Sequence, residues 1–107
     1  KTDAAGEDGD FEAKIKALEE FDKSIPAIRE LGADVLMIAG DHSTPAVLAG
    51  HSWHPVPFLL NSANTSSGEA RGFSENSCRA GSLGTFSAKE VLPLAMAHAG
   101  RLQKYGA

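Results

Sequence analysis

The stretch Val35–Ala39 (VLMIA), which ends directly at Gly40, decides the fold class of this chain of 107 residues. Five consecutive apolar residues without alternation indicate a strand buried on both faces, as strands of parallel sheets are. Before it, apolar residues recur at spacings of three and four over Phe11–Leu31, which predicts an amphipathic helix interrupted near Pro26. Gly32 is expected to end that helix. The order helix, glycine turn, buried strand is half of a βαβ unit and predicts an α/β fold.

Shorter elements are predicted on both sides of this unit. The polar residues 1–10 predict a loop, in which Asp10 caps the helix that follows. After the strand, Pro45 is expected to begin a short helix that stops by Gly50. Val56–Leu60 predicts a second strand, with Pro57 near its beginning or at a sheet edge because proline lacks an N–H.

The last part of the chain adds a polar segment and one more helix. Asn61–Ser77 has no clear period and predicts an excursion or a flexible loop. Ser87–Glu90 (SAKE) has the pattern of a capping box and predicts a final helix, distorted at Pro93. Two strands and two or three helices do not close a doubly covered parallel sheet. The elements therefore predict part of a larger α/β domain.

Composition argues against several classes of partner. The formal net charge is −4 and no run of Lys and Arg occurs, so nucleic acid is not an expected partner. The longest apolar runs are far too short to span a bilayer, so a membrane is not expected either. Cys78 is the only cysteine, which rules out an internal disulfide and suits a reducing compartment. We expect a soluble protein of the cytoplasm.

Asp41 and His42 directly follow the predicted strand and are the first candidates for chemistry. In open α/β sheets, ligands bind beyond the carboxyl ends of the strands. A carboxylate beside an imidazole supplies one oxygen and one nitrogen ligand for Zn²⁺ or Mn²⁺. Alternatively, Asp41 caps the following short helix and His42 is an ordinary loop residue. The motif alone leaves both interpretations open.

Three of the four histidines lie in one stretch of the chain, since His51 and His54 follow soon after the Asp-His pair. This clustering favours a metal site, although each of the two alone is compatible with a solvated loop side chain. Trp53 is expected to pack against the protein rather than to stack on a substrate. His98, among small apolar residues of the last predicted helix, is expected to be structural.

Asp3 and Glu7 offer two further oxygen ligands near the start of the chain. Taken alone, they are equally what a solvated acidic loop contains, and that interpretation is favoured. A calcium EF-hand is excluded, because Ala13 stands where the loop that starts at Asp8 would need its glycine. No glycine-rich phosphate loop with Lys and Ser or Thr is present in the sequence, and no Gly-x-Ser-x-Gly elbow.

Four segments together resemble a known family: Lys1–Glu12, Gly40–Pro45, His51–Pro57 and Ala99–Ala107. In this order they are similar to the C-terminal end of the archaeal-type 2,3-bisphosphoglycerate-independent phosphoglycerate mutases, of the alkaline phosphatase superfamily. The pair Asp-His-Ser-Thr-Pro and His-x-x-x-Pro-Val-Pro is specific in combination. The resemblance implies an alkaline-phosphatase-like α/β/α sandwich with a parallel sheet. Residues 1–107 would form the C-terminal part of this metal-binding, phosphatase-like domain, and its upstream half would be absent.

The resemblance also implies a site with two divalent metal ions (Mn, Mg, Co or Zn). Asp41 and His42 correspond to ligands of the metal that also binds a nucleophilic Ser or Thr. Asp3 and His51 correspond to ligands of the second metal. Glu7 occupies a position where relatives often carry a metal-binding His, and its carboxylate can ligate Mn²⁺ or Mg²⁺ through oxygen. The nucleophile and the main substrate-binding residues would lie in earlier sequence, so no catalytic residue is expected in this chain.

The implied activity is the interconversion of 3-phosphoglycerate and 2-phosphoglycerate through a phosphoenzyme. This chain would supply metal ligands only, with phosphoglycerate as substrate and the missing N-terminal part of its own chain as partner. Alone, it is expected to be inactive. Two alternatives remain at this stage. The parent protein is a metal-dependent phosphatase or another phosphomutase of the same superfamily, or the chain is a non-catalytic metal-binding fragment.

Overall fold

The computed structural model describes residues 1–66 and 71–104, which form helices, two strands and the segments that connect them. It divides into two compact units. The first consists of Lys1–Gly32 and Asp41–Val56, and the second of Ala33–Gly40 and the chain from Pro57 onward. The first unit contains the helices α1 (Thr2–Glu7), α2 (Phe11–Asp22) and α3 (Ile25–Glu30). The second contains the strands β1 (Val35–Ala39) and β2 (Phe58–Ser62), the helix α4 (Glu75–Arg79), a 3₁₀ helix (Ala88–Glu90) and the helix α5 (Val91–His98).

The helical region before β1 follows its sequence pattern. Asp10 caps α2 as predicted, because its Oδ1 accepts a hydrogen bond of 2.9 Å from the Ala13 N–H. The helix is interrupted between α2 and α3, and Pro26 lies in the first turn of α3. The missing N–H of proline costs no hydrogen bond there. Gly32, at a φ of 66°, ends the helical region as predicted.

The prediction of a loop over residues 1–10 is wrong, because Thr2–Glu7 forms α1. Gly6 made this segment look irregular, but its role is steric. Gly6 is buried, and a Cβ there would overlap the Thr44 carbonyl oxygen. Only glycine therefore lets α1 approach the segment that carries Thr44. Gly9, at a φ of 69°, then turns the chain into α2.

The helix predicted from Pro45 to Gly50 is not formed; this stretch consists of turns. The backbone hydrogen bonds within this stretch, among the residues that the structure describes, join residues three apart, and the bond from the Leu48 N–H to the Pro45 carbonyl is 2.9 Å long. Ala49 adopts a φ of 47°, which an α-helix does not contain. The two ends of the stretch are joined by a β-bridge, in which the Ser52 N–H donates to the Ser43 carbonyl at 2.8 Å. This bridge brings His42, which precedes Ser43, close to His51, which precedes Ser52.

The mixed α/β class is confirmed, but the two strands pair antiparallel, with Met37 opposite Leu60. A parallel pair needs a crossover connection, usually a helix, and residues 40–57, all of which the structure describes, form bends, turns and one β-bridge without a helix. The expected parallel sheet is therefore not formed by these two strands. Pro57 lies immediately before β2, in agreement with the prediction for a residue without an N–H. The residues of β1 are half-buried or exposed, not buried on both faces.

The C-terminal helices differ from prediction at their beginnings. The side chain of Ser74 caps α4 by accepting from the Ser77 N–H, so the polar segment Asn61–Ser77 ends in a helix instead of a loop. Residues 67–70 of that segment lie outside the described residues. The Ser87 side chain makes no capping hydrogen bond, and a 3₁₀ turn leads into α5 instead of the predicted capping box.

An aromatic contact in the second unit joins β2 to the segment before the 3₁₀ helix. The rings of Phe58 and Phe86 meet edge to face, with centroids 5.2 Å apart.

Apolar burial is incomplete in the part of the chain that the structure describes. No hydrophobic side chain there is fully buried, and several large ones are well exposed, among them Phe11, Leu31 and Leu92. A stable domain normally buries such side chains in a shared core. Within the described ranges, none of the helices has the length and apolar character needed to cross a membrane.

Candidate metal centre

Three side chains of the first unit converge, one from α1 and two from the segment that follows β1. They are Asp3, His42 and His51, and one ligand atom from each lies within 4.8 Å of the others. The His51 Nε2 is 3.4 Å from the Asp3 Oδ1, and the His42 Nε2 is 3.9 Å from the same oxygen. The two imidazole rings are 4.0 Å apart, centroid to centroid. We call this group the Asp3 cluster.

Glu7 and Asp41, the two other sequence-predicted ligands, lie beside the cluster. Glu7 is one helical turn after Asp3, so both project from the same face of α1. Its Oε1 is 3.5 Å from the His51 Nε2. The Asp41 Oδ2 is 3.6 Å from the His42 Nε2, and the Asp41 side chain is 91% exposed. All five predicted ligands are thus neighbours, and their binding of metal stays a prediction.

Thr44 links two members of the cluster and was not predicted as part of the site. Its side chain is buried, and its hydroxyl donates to the Asp3 Oδ1 at 2.8 Å. The same hydroxyl oxygen is 3.1 Å from the His42 Nδ1. On the backbone side, the Thr44 carbonyl accepts a hydrogen bond from the Lys14 Nζ. The sequence offered one signal for Thr44, a hydroxyl two residues after His42, and none for Lys14.

The electrostatics of the cluster favour an ionised Asp3. The hydrogen bond from Thr44 is the main cause that holds the pKa of Asp3 below its usual range. The neighbouring imidazoles of His42 and His51 lower this pKa further, whereas partial desolvation opposes the shift. Asp3 is therefore a carboxylate at neutral pH, which is the form that binds a cation.

The remaining singled-out side chains lie outside the cluster. The His54 Nδ1 is hydrogen-bonded to the Ser52 Oγ at 2.8 Å, and its ring stacks on Trp53. Trp53 is 86% exposed. Its packing against the protein, which the sequence predicted, is therefore limited among the described residues to the stacking on His54. In the second unit, the His98 Nδ1 is 3.2 Å from the Ser62 Oγ, which ties α5 to β2 as expected of a structural histidine.

The donor set fits a divalent metal. Carboxylate oxygens and imidazole nitrogens are the usual ligands of Zn²⁺ and Mn²⁺. Ligand atoms about 2.1 Å from a tetrahedral ion lie roughly 3.4 Å from one another. The Asp3–His51 and Glu7–His51 separations of 3.4 and 3.5 Å match this value. All five side chains are at least partly exposed, so an ion from solvent can reach them.

Residues 1–98 match the family described as the Metalloenzyme superfamily, and the chain therefore belongs to this superfamily. Together with the Asp3 cluster, this membership indicates use of a divalent metal.

The similar curated proteins are each named a probable 2,3-bisphosphoglycerate-independent phosphoglycerate mutase. Those of Thermosipho africanus and Thermus thermophilus are 55% identical to this chain over all 107 residues, and that of Thermotoga maritima is 54% identical. This confirms the family resemblance found in the sequence. The chain spans about a quarter of these relatives, 26–27% of their length.

A solved structure, that of the PH0037 protein from Pyrococcus horikoshii, has the same fold over this region. It is 34% identical, with a TM-score of 0.90. The match covers 99% of this chain and 33% of the other. The fold of this chain thus recurs as one part of a longer protein.

Proposed function

We propose that the protein to which this chain belongs is a metal-dependent phosphoglycerate mutase, which interconverts 3-phosphoglycerate and 2-phosphoglycerate through a phosphoenzyme. The observation that carries the proposal is the convergence of Asp3, His42 and His51 in a chain similar along its whole length to probable mutases. When bound, two divalent cations neutralise phosphate charge and activate a hydroxyl nucleophile. This chain contributes ligands for them, and the nucleophile comes from the rest of the protein.

The five side chains divide into two groups of ligands. Asp3, Glu7 and His51 hold one cation, and Asp41 and His42 hold the other together with the nucleophile. The close approaches of His51 to Asp3 and Glu7, and of His42 to Asp41, support this division. The cations are Mn²⁺, Mg²⁺, Co²⁺ or Zn²⁺, and the oxygen-rich first group favours the harder ions of this set.

The proposed fold of the whole protein is an alkaline-phosphatase-like α/β/α sandwich, with residues 1–107 as the C-terminal part of its metal-binding domain. The incomplete burial of apolar side chains in the described ranges supports this proposal. The upstream part of the chain would add parallel strands beside β1 and cover the exposed apolar surface. Phosphoglycerate is a charged metabolite of the cell interior, so the proposed location is the cytoplasm.

An enolase-coupled assay on the full-length protein tests the proposal. The metal-free protein is supplied in turn with manganese, magnesium, cobalt or zinc, and at least one metal is expected to support isomerisation. Asp41→Asn removes a proposed ligand charge and should reduce turnover by more than about 100-fold. Asp8→Asn, an exposed acid at the end of α1, is the matched control and should retain turnover.

Three results would contradict the proposal in different ways. No turnover with any of the four metals argues against a mutase. Release of inorganic phosphate without isomerisation identifies a phosphatase with the same ligand chemistry. Metal binding without either reaction leaves a non-catalytic metal-binding protein.

A further inference from the structure

We infer that Thr44 is a positioning residue that sets the tautomer of His42 and the direction of the Asp3 carboxylate. This inference rests on the metal site of the proposed function. A threonine hydroxyl has one proton to donate and two lone pairs to accept with. Thr44 has two polar partners for its hydroxyl, and only one of them can receive that proton.

The partner that receives the proton is Asp3. An ionised carboxylate only accepts, and the Thr44 Oγ1 is 2.8 Å from the Asp3 Oδ1. If Thr44 donated to His42 instead, two oxygens would face each other at this distance without a proton between them. The His42 Nδ1, 3.1 Å from the Thr44 Oγ1, must therefore carry its own proton and donate it to the hydroxyl.

The consequence for His42 concerns its other ring nitrogen. A neutral imidazole carries one proton, so a protonated Nδ1 leaves a lone pair on Nε2. The Nε2 is the atom that faces the cluster, 3.9 Å from the Asp3 Oδ1 and 3.6 Å from the Asp41 Oδ2. The hydroxyl of Thr44 thus prepares His42 to bind a cation through Nε2, without any proton having to move first.

Thr44 can do this because it is itself held in place. It is only 4% exposed, its carbonyl accepts from the Lys14 Nζ, and Gly6 of α1 packs against that same carbonyl. The β-branched side chain of threonine is also restricted about χ1. The hydroxyl therefore connects α1, which carries Asp3, to the segment that carries His42.

The tautomer of His42 can be measured directly in the full-length, metal-free protein. Histidine is labelled with ¹⁵N, and two-bond proton–nitrogen correlations report which nitrogen is protonated in the neutral ring. The His42 signals are assigned by their loss in His42→Asn. In the wild-type protein we expect the proton on Nδ1. A wild-type His42 with the proton on Nε2 overturns the inference, whatever the variants do.

Variants of Thr44 test the link to the cation. Thr44→Val keeps the shape and removes the hydroxyl, and should move the His42 proton to Nε2 in part of the molecules. Its Mn²⁺ affinity, measured by calorimetry, should fall about 10–100-fold. Thr44→Ser restores the hydroxyl and should bring the affinity back to within about 3-fold of wild type. Ser52→Ala, which removes the hydroxyl beside the His54 Nδ1, is the matched control and should change neither His42 nor Mn²⁺ affinity.

The outcomes separate this inference from the proposed activity. A Thr44→Val protein with wild-type affinity and an unchanged His42 tautomer overturns the inference. If that variant does not fold, as seen by its unfolding transition, the wild-type tautomer decides alone. A wild-type protein that binds Mn²⁺ with the expected tautomer but does not isomerise phosphoglycerate overturns the mutase proposal and supports the inference.

Discussion

Each of the two compact units contains a histidine whose Nδ1 meets a hydroxyl group. In the first unit His42 meets Thr44, and in the second His98 meets Ser62. The Thr44 hydroxyl also donates a hydrogen bond to the Asp3 carboxylate. The Ser62 hydroxyl instead accepts a hydrogen bond of 3.1 Å from the backbone N–H of Asn64. The same pair of side-chain types thus orients a candidate ligand in one unit and joins a helix to a strand in the other. The two pairs differ in the further partner of the hydroxyl: the Asp3 carboxylate accepts the proton of the Thr44 hydroxyl, whereas the Asn64 N–H donates to the Ser62 hydroxyl.

The largest expected effect separates the two histidines. His42→Ala should lower Mn²⁺ affinity at least about 100-fold and abolish turnover, because it removes a proposed ligand. His98→Ala should leave the affinity within about 3-fold and cost about 1 kcal/mol of unfolding free energy, from the lost hydrogen bond to Ser62. Calorimetry and urea unfolding of the full-length protein measure the two quantities. Equal losses of affinity in both variants would remove the distinction between the units.

The next effect concerns the close approach that brings Asp3 to Thr44. Gly6→Ala places a Cβ against the Thr44 carbonyl oxygen and should destabilise the protein by about 1–3 kcal/mol, with weaker Mn²⁺ binding. Gly50→Ala is the matched control in the same unit, since a Cβ there meets its nearest neighbour, the Leu48 carbonyl oxygen, at 3.8 Å. It should change unfolding free energy by less than about 1 kcal/mol. A tolerated Gly6→Ala would show that α1 does not need this contact.

A smaller effect is expected in the identity of the metal. Glu7→His replaces an oxygen donor with a nitrogen donor beside His51, and should shift the ratio of Zn²⁺ to Mn²⁺ affinity about tenfold towards Zn²⁺. Glu7→Gln keeps the size of the side chain and should weaken both metals without that shift. Competition titrations on the full-length protein give the ratio. An unchanged ratio in Glu7→His would place Glu7 outside the coordination shell.

The smallest effect compares helix caps in the two units. Asp10→Ala removes the acceptor for the Ala13 N–H and should cost about 1 kcal/mol of unfolding free energy. Ser87→Ala should cost less than about 0.5 kcal/mol, because the Ser87 side chain makes no capping hydrogen bond. Urea unfolding distinguishes these values. A larger loss in Ser87→Ala would mean that the predicted capping box does form in solution.

Local sequence patterns predicted what depends on neighbouring residues. The cap at Asp10, the break near Pro26 and the strand Val35–Ala39 follow from such patterns, and the structure contains them. The helix α1 escaped prediction because Gly6 lowers helix propensity, and the reason for that glycine is a contact with Thr44, far away in sequence.

Features that depend on the rest of a domain were the least predictable. The apolar run of β1 indicates burial on both faces, and within the described chain its residues are half-buried or exposed. The candidate ligands were named from motifs and resemblance, but Thr44 was not. Its role follows from the two groups that share its hydroxyl, and these come from different segments.

Anomalous X-ray diffraction from crystals of the full-length protein loaded with manganese tests the central claim most directly. We predict one Mn²⁺ within about 2.3 Å of oxygen or nitrogen atoms of Asp3 and His51, and a neighbouring Mn²⁺ bound by Asp41 and His42. Manganese peaks elsewhere in the protein, with these four side chains not bound to any metal, would contradict it.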